Sequence, residues 1–175
     1  MGTPKPLLGW RGKALVEHLA DVLLAGGVSR VVTVVGPDDT GREISALGLE
    51  TALNPAPERG MLSSVHIGLD ALGEGAFLVC PCDLPRLTPE HVRAVLEAWD
   101  GSDSALVAPV REGKRGHPTL FGGELRRKAR ELDPARFGLN ELLKTCPVTE
   151  ITVDEEGPFR DADNPADWDA LLKME

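Results

Sequence analysis

At 175 residues, with 42% apolar and 27% charged side chains, the chain has the make-up of an ordinary globular protein and the length of a single domain, 1–175. A net charge of −9 with no Lys/Arg stripe to offset it argues against a nucleic-acid-binding surface. No apolar run of membrane-spanning length and no signal-peptide pattern is present, and three cysteines fit a reducing compartment better than a disulfide framework, so the cytoplasm is the expected location.

In chain order, "GKALVEHLADVLLA" (12–25) places Leu15, Leu19, Val22 and Leu23 on one face of a helix, stopped by Gly26-Gly27. "RVVTVVG" (30–36) is a continuous β-branched run, the pattern of a strand buried on both faces. "DDTGREISAL" reads as a short helix and "LETALN" as a strand. "GMLSSVHIGLDAL" (60–72) is helical, with Met61, Val65, Leu69 and Leu72 on one side, and "GAFLVCP" (75–81) is a second buried strand. "TPEHVRAVLEAW" (88–99) has Thr88 as N-cap and Pro89 at the first helical position. "SALVAPV" (104–110) is the next strand. Beyond it come "HPTLFGG", helices near 122–131 and 138–145, the strand "PVTEITV", and a closing helix "NPADWDALLKM" capped by Asn164. Strands alternating with helices at this spacing predict an α/β fold, mainly a parallel sheet with helices on both faces.

Ligands of open α/β sheets bind at the carboxyl ends of strands. There, "FLVCPCDLPRL" runs a buried strand into Asp83. This carboxylate is placed either to hold a hard cation such as Mg²⁺ beside a phosphate or to make ordinary turn hydrogen bonds. In "FRDADNPADW", Asp161 and Asp163 fall on one face of an extended segment, where they are solvated, cap the helix, or supply a second carboxylate. Lys5, in the glycine- and proline-bearing start "MGTPKPLL", would complete a set of groups for handling phosphate. Together they point to phosphoryl or nucleotidyl transfer. His117 in "KRGHPTLF" either faces a ligand or lines its loop, and Arg111, Lys114 and Arg115 form a basic loop. His18, His66 and His91 fall on helices as half-buried or surface residues. Cys80 and Cys82 lack the companions of a zinc site, and Ser63-Ser64 lacks the partners of a hydrolase triad.

In this order the motifs resemble those of the molybdenum-cofactor nucleotidyltransferases. Met1-Gly2-Thr3-Pro4-Lys5-Pro6-Leu7-Leu8 is similar to the second half of the family's glycine-rich signature. "NPAPERGMLSSVHIGL" resembles its N-P…G-M-x-x-S stretch, "PCDLPRLTPEH" its metal-aspartate turn, and "GHPTLF" its substrate-side strand. "DADNPADW" is similar to its closing D-x-D-T-P-x-D, with Asn164 in place of threonine. The resemblance implies a Rossmann-like nucleotidyltransferase fold. It also implies that Gly2, Lys5, Asn54, Gly60, Met61 and Ser64 lie along the nucleotide, that Lys5 and Asp83 are catalytic, and that Asp83 and Asp163 hold Mg²⁺. His117 and Pro118 would then face the pterin substrate. The implied reaction moves a nucleoside monophosphate from an NTP to the phosphate of molybdopterin. A molybdenum enzyme or its chaperone is the implied protein partner.

Pro4, "GMLSS", "GHP" and Asp163 lean towards the cytidylyl branch and CTP, whereas "PCDLP" is closer to the guanylyl type. Rival readings are transfer to another phosphorylated acceptor and a non-catalytic binding or chaperone-like relative. Against the family pattern the chain starts inside its own nucleotide loop, either because Met1 is an internal methionine or because the protein is a degenerate relative. The missing first strand belongs in the middle of the sheet, between "RVVTVVG" and "FLVCP". Two buried edges without partners predict weak nucleotide binding and strand swapping, dimerisation or aggregation.

Overall fold

A computed structural model describes residues 3–161 and 165–172. The chain enters through a 3₁₀ turn, Lys5–Leu7, and a hairpin of two-residue strands, β1 (Gly9–Trp10) and β2 (Lys13–Ala14). This hairpin has no periodic signal in the sequence. Its turn is made by Arg11 and Gly12, both at positive φ (50° and 79°), which the twist of two-residue hairpins favours. The hairpin buries Trp10 to 2% exposure, with its ring 5.5 Å from that of Trp168.

Helix α1 (Leu15–Ala25) follows directly. Ala14 N–H donates to Glu17 Oε2 at 2.9 Å, tying down the first turn. Leu15, Leu19 and Val22 face inward, as their spacing predicts, and pack on Leu84, Leu87 and Val92. Next comes a βαβ unit. β3 (Thr33–Val35) runs parallel to β4 (Thr51–Leu53), with α2 (Asp39–Ala46) between them and Asp38 capping Gly41 N–H at 2.9 Å. α3 (Met61–Leu72) leads to β5 (Phe77–Val79), and α4 (Pro89–Glu97) leads to β6 (Leu106–Arg111). Met61, expected on the inner side of α3, is instead 62% exposed, because it is the first residue of the helix and sits at its rim.

The second sheet corrects the expectation of mainly parallel strands. β8 (Thr119–Phe121) lies between β5 and β6 and runs antiparallel to both. The short β7 (Lys114–Arg115) is also antiparallel to β6, and β9 (Thr149–Thr152) is parallel to it. The sheet is therefore mixed. The crossover through α4 skips one strand position, and β8 fills it from the opposite direction. The rings of Phe77 on β5 and Phe121 on β8 stack at 5.0 Å over α5 (Gly123–Glu131), α6 (Asn140–Thr145) and the inner face of α3. α7 (Pro165–Leu172) returns to the α1–α4 cluster through Trp168 and Leu171.

β3 and β4 form their own two-stranded sheet, and β3 does not pair with β5. A cleft of about 590 Å³ lies between β3 and β5. Among the described residues no helix is long and apolar enough to cross a membrane.

Candidate active site

β5 ends at Val79, and Cys80-Pro81 carries the chain into a turn at Cys82-Asp83. Pro85 and the buried Leu84 and Leu87 anchor the next residues, so Asp83 is held at the carboxyl edge of the sheet rather than on a free loop. Lys5 opens the 3₁₀ turn Lys5–Leu7, and its charge is felt at Cys82. Its position is fixed by Pro4 and Pro6 and by two turn hydrogen bonds, Leu7 N–H to the Pro4 carbonyl (3.0 Å) and Leu8 N–H to the Lys5 carbonyl (3.1 Å).

Cys82 registers both groups. Its thiol reaches the surface within a dense shell, and burial is the main cause of its raised pKa. Asp83 raises it further, while Lys5 pulls it down. The charges of Lys5 and Asp83 thus both act on one thiol at the strand's end. Burial, followed by Cys82 and Asp83, pushes the Cys80 thiol up to about 12, so it stays protonated and is no nucleophile near neutrality.

His117 faces this turn from the neighbouring strand connection. A cis peptide joins it to Pro118, and its backbone N–H donates to the Pro158 carbonyl at 2.9 Å. Burial holds the imidazole below its usual value, opposed by a hydrogen bond with the Val79 backbone and by Asp83. Pro118 is buried, so it sets the turn rather than presenting a face to a ligand.

The loop after β4 supplies a third side. Asn54 is only 3% exposed, and its bonds are internal. Nδ2 donates to Ser63 Oγ (2.9 Å) and Ser64 Oγ (3.0 Å), and Oδ1 accepts Ala56 N–H (3.0 Å). Gly60, at φ 95°, starts α3 in a conformation that a Cβ would strain. The cleft is bordered by Met61 and Ser64 together with Pro6 and Cys82, the chain neighbours of Lys5 and Asp83, with Asn54 as the tie behind the loop. Gly2 and Asp163 lie outside the described residues.

The basic loop is mostly engaged. Arg115 bonds Glu150 at 2.8 Å and Arg111 lies 3.7 Å from Glu156, which Arg160 also holds at 2.8 Å. Asp161 borders a smaller cavity of about 270 Å³ there, with Arg111 and Arg160. Two roles escaped sequence reading. His91 Nδ1 accepts Thr88 N–H at 3.1 Å, closing a capping box that usually uses Glu or Gln. Arg126, 3% exposed, donates to the carbonyls of Leu69 (2.7 Å) and Gly75 (3.2 Å), joining the end of α3 to the approach to β5.

The sequence pattern of the MobA-like NTP transferase domain matches residues 1–151. A protein of Bacillus anthracis (strain CDC 684 / NRRL 3495) named "Probable molybdenum cofactor guanylyltransferase" is 24% identical over 173 residues, covering 95% of this chain and 82% of that protein. The crystal structure of Rv0371c from Mycobacterium tuberculosis H37Rv superposes with a TM-score of 0.82 at 23% identity, covering 99% of this chain and 90% of the other. Molybdopterin-guanine dinucleotide biosynthesis protein A from Archaeoglobus fulgidus gives 0.76 at 15% identity, covering 99% and 91%. These structures share the α/β fold.

Proposed function

The chain belongs to the MobA-like NTP transferase domain family, and on that premise we propose that it transfers GMP from GTP to the phosphate of a molybdopterin-type acceptor, releasing pyrophosphate. The observation that carries this reading is the family match over residues 1–151, supported by the turn that holds Asp83 at the carboxyl end of β5. GTP here replaces the CTP expected from the sequence. The curated relatives carry guanylyl in their names, and the "PCDLP" turn already leaned that way.

In this reaction an acceptor phosphate oxygen bonds to the α-phosphorus, the bond from that phosphorus to the bridging oxygen breaks, and pyrophosphate leaves. Negative charge builds on the phosphates, and a fixed ammonium beside them lowers the barrier electrostatically. Lys5 has that role in our reading. Asp83 fits a hard cation. Mg²⁺ is usually held by one or two carboxylates plus substrate phosphates rather than by a protein cage, and no cluster of three ligating side chains occurs among the described residues. Asp163 would be the second carboxylate. When bound, Mg²⁺ would supply further positive charge to the phosphates. His117 lies on the acceptor side, held neutral by burial and so able to donate or accept a single hydrogen bond. Gly2, Gly60, Met61 and Ser64 border the nucleotide, and Asn54 supports them from behind.

The test is pyrophosphate release with Mg²⁺ and molybdopterin, GTP against CTP. Asp83→Asn should lower kcat by about 10²–10³, the usual loss when one charge-stabilising group is removed. Equal turnover by Asp83→Asn and the parent would remove the proposal. Faster turnover with CTP would restore the cytidylyl branch and leave the site assignment intact.

A further inference from the structure

β5 and β6 both run antiparallel to β8, and β9 runs parallel to β6, so β5, β6 and β9 point the same way. Their carboxyl ends therefore share one end of the sheet. The Asp83 turn follows β5 there, Arg111 ends β6, and residues 154–160 leave β9 as a strap. Two close backbone approaches seat this strap. A Cβ on Gly157 would lie 2.4 Å from the Arg86 carbonyl oxygen, and a Cβ on Gly116 would lie 2.5 Å from the Pro158 carbonyl oxygen. Glycine admits such approaches because it has no Cβ. His117 N–H, next to Gly116, donates to the same Pro158 carbonyl at 2.9 Å. The buried pair Gly157-Pro158 is thus wedged between the turn that carries Asp83 and the turn that carries His117.

Glu156 stands at the head of this wedge. Its carboxylate accepts a hydrogen bond from Arg160 Nη1 at 2.8 Å and lies 3.7 Å from Arg111 Nη1 and 3.9 Å from Arg86 Nη1. Arg160, and to a smaller extent Arg111 and Arg86, hold its carboxyl below the usual carboxylate range. Arg86 follows Asp83 by three residues. The buried Leu84 and Leu87, with Leu87 N–H donating to the Leu84 carbonyl at 3.1 Å, make the stretch between them rigid. Arg160 directly precedes Asp161 and stands three positions before Asp163. A single exposed ion pair contributes little to stability, but a carboxylate shared by cations from three segments is a network. Without it the guanidiniums that it gathers repel one another.

We propose that Glu156 is a positioning residue for the reaction's cation, setting through Arg86 and Arg160 the spacing between the Asp83 turn and the segment that carries Asp161 and Asp163. This rests on the reading of Asp83 and Asp163 as the carboxylates that hold Mg²⁺. In this role Glu156 acts through the two arginines and touches neither nucleotide nor metal. Removing a group that orients metal ligands weakens the metal while the ligands themselves stay in place.

The experiment compares the parent protein, Glu156→Gln and Arg86→Gln in two assays. One is the Mg²⁺ dependence of pyrophosphate release from GTP with molybdopterin. The other is Mn²⁺ binding to the protein alone, read from the EPR signal of the free ion. Glu156→Gln should raise the Mg²⁺ concentration for half-maximal turnover roughly fivefold or more, weaken Mn²⁺ binding by a similar factor, and move both constants further than it moves kcat. Arg86→Gln leaves Glu156 with two of its partners and should give the same shift, and the double variant should be no worse than either single one. A purely structural carboxylate would lower Tm and kcat and leave both cation constants unchanged, and that result overturns the proposal. Mn²⁺ binding that Asp83→Asn does not weaken overturns it as well. No turnover by the parent, together with Mn²⁺ binding that Asp83→Asn abolishes and Glu156→Gln weakens, would remove the nucleotidyl-transfer reading and support the positioning role.

Discussion

Asn54→Ala tests whether the loop beside the site is held from inside. The amide makes three hydrogen bonds of 2.9–3.0 Å in a position 3% exposed to solvent. Each such bond contributes about 0.5–1.5 kcal/mol net, and the stranded Ala56 N–H adds a desolvation cost. The sum is about 2–4 kcal/mol, or a fall in Tm of roughly 5–15 °C at this chain length. Ser63 cannot make up the loss, because its hydroxyl already donates to the Gly60 carbonyl at 2.7 Å. Asn54→Asp should cost less, since a carboxylate still accepts Ala56 N–H and the Ser64 hydroxyl can turn to donate. Urea denaturation of the two variants and the parent gives the comparison. A loss below about 0.5 kcal/mol for Asn54→Ala would refute the reasoning.

The packing sets three further outcomes. Gly41→Ala should destabilise by more than about 2 kcal/mol, because a Cβ there meets the Gly36 carbonyl oxygen at 2.1 Å; this outweighs the gain of about 1 kcal/mol that alanine brings to a helix, and a thermal melt checks it. Arg126→Met should cost about 2–4 kcal/mol by urea denaturation, since two charge-assisted bonds to the Leu69 and Gly75 carbonyls go with the guanidinium. Burial holds His91 below its ordinary value of about 6.5, with Glu155 and Glu90 pulling it back up, and only the neutral ring accepts Thr88 N–H. The unfolded chain therefore takes up the proton first on acidification. This stabilisation is complete above about pH 6.5 and is lost as pH falls through the lower folded value, so His91→Gln should flatten that part of the pH–stability curve.

What the sequence reveals and what it hides have physical reasons. α1 and α3 are legible because their apolar residues recur every three to four positions over 11 and 12 residues. β3 and β5 are legible as β-branched or aliphatic runs, although their ladders are only three residues long. The hairpins at 9–14 and 110–115 are not, since strands this short carry no period and are fixed by Arg11-Gly12 and Glu112-Gly113 at positive φ. The direction of β8 is equally hidden, because alternation reads the same both ways along a strand. In the site, Asp83 is visible from its place after a buried strand. The internal ties of Asn54 depend on Ser63 and Ser64, nine and ten residues away, and emerge only when α3 folds back. Arg126 had a signal: an arginine between Leu125 and Ala129 on a buried helix face needs partners, here the ends of other elements.

Calorimetric titration of GTP, with and without Mg²⁺, into the parent protein, Asp83→Asn and Lys5→Ala tests the nucleotidyl-transfer site most directly. GTP binding should require Mg²⁺ in the parent, lose that requirement in Asp83→Asn and weaken in Lys5→Ala. Binding that ignores Mg²⁺ and is untouched by both substitutions would contradict the assignment of Lys5 and Asp83 to the nucleotide.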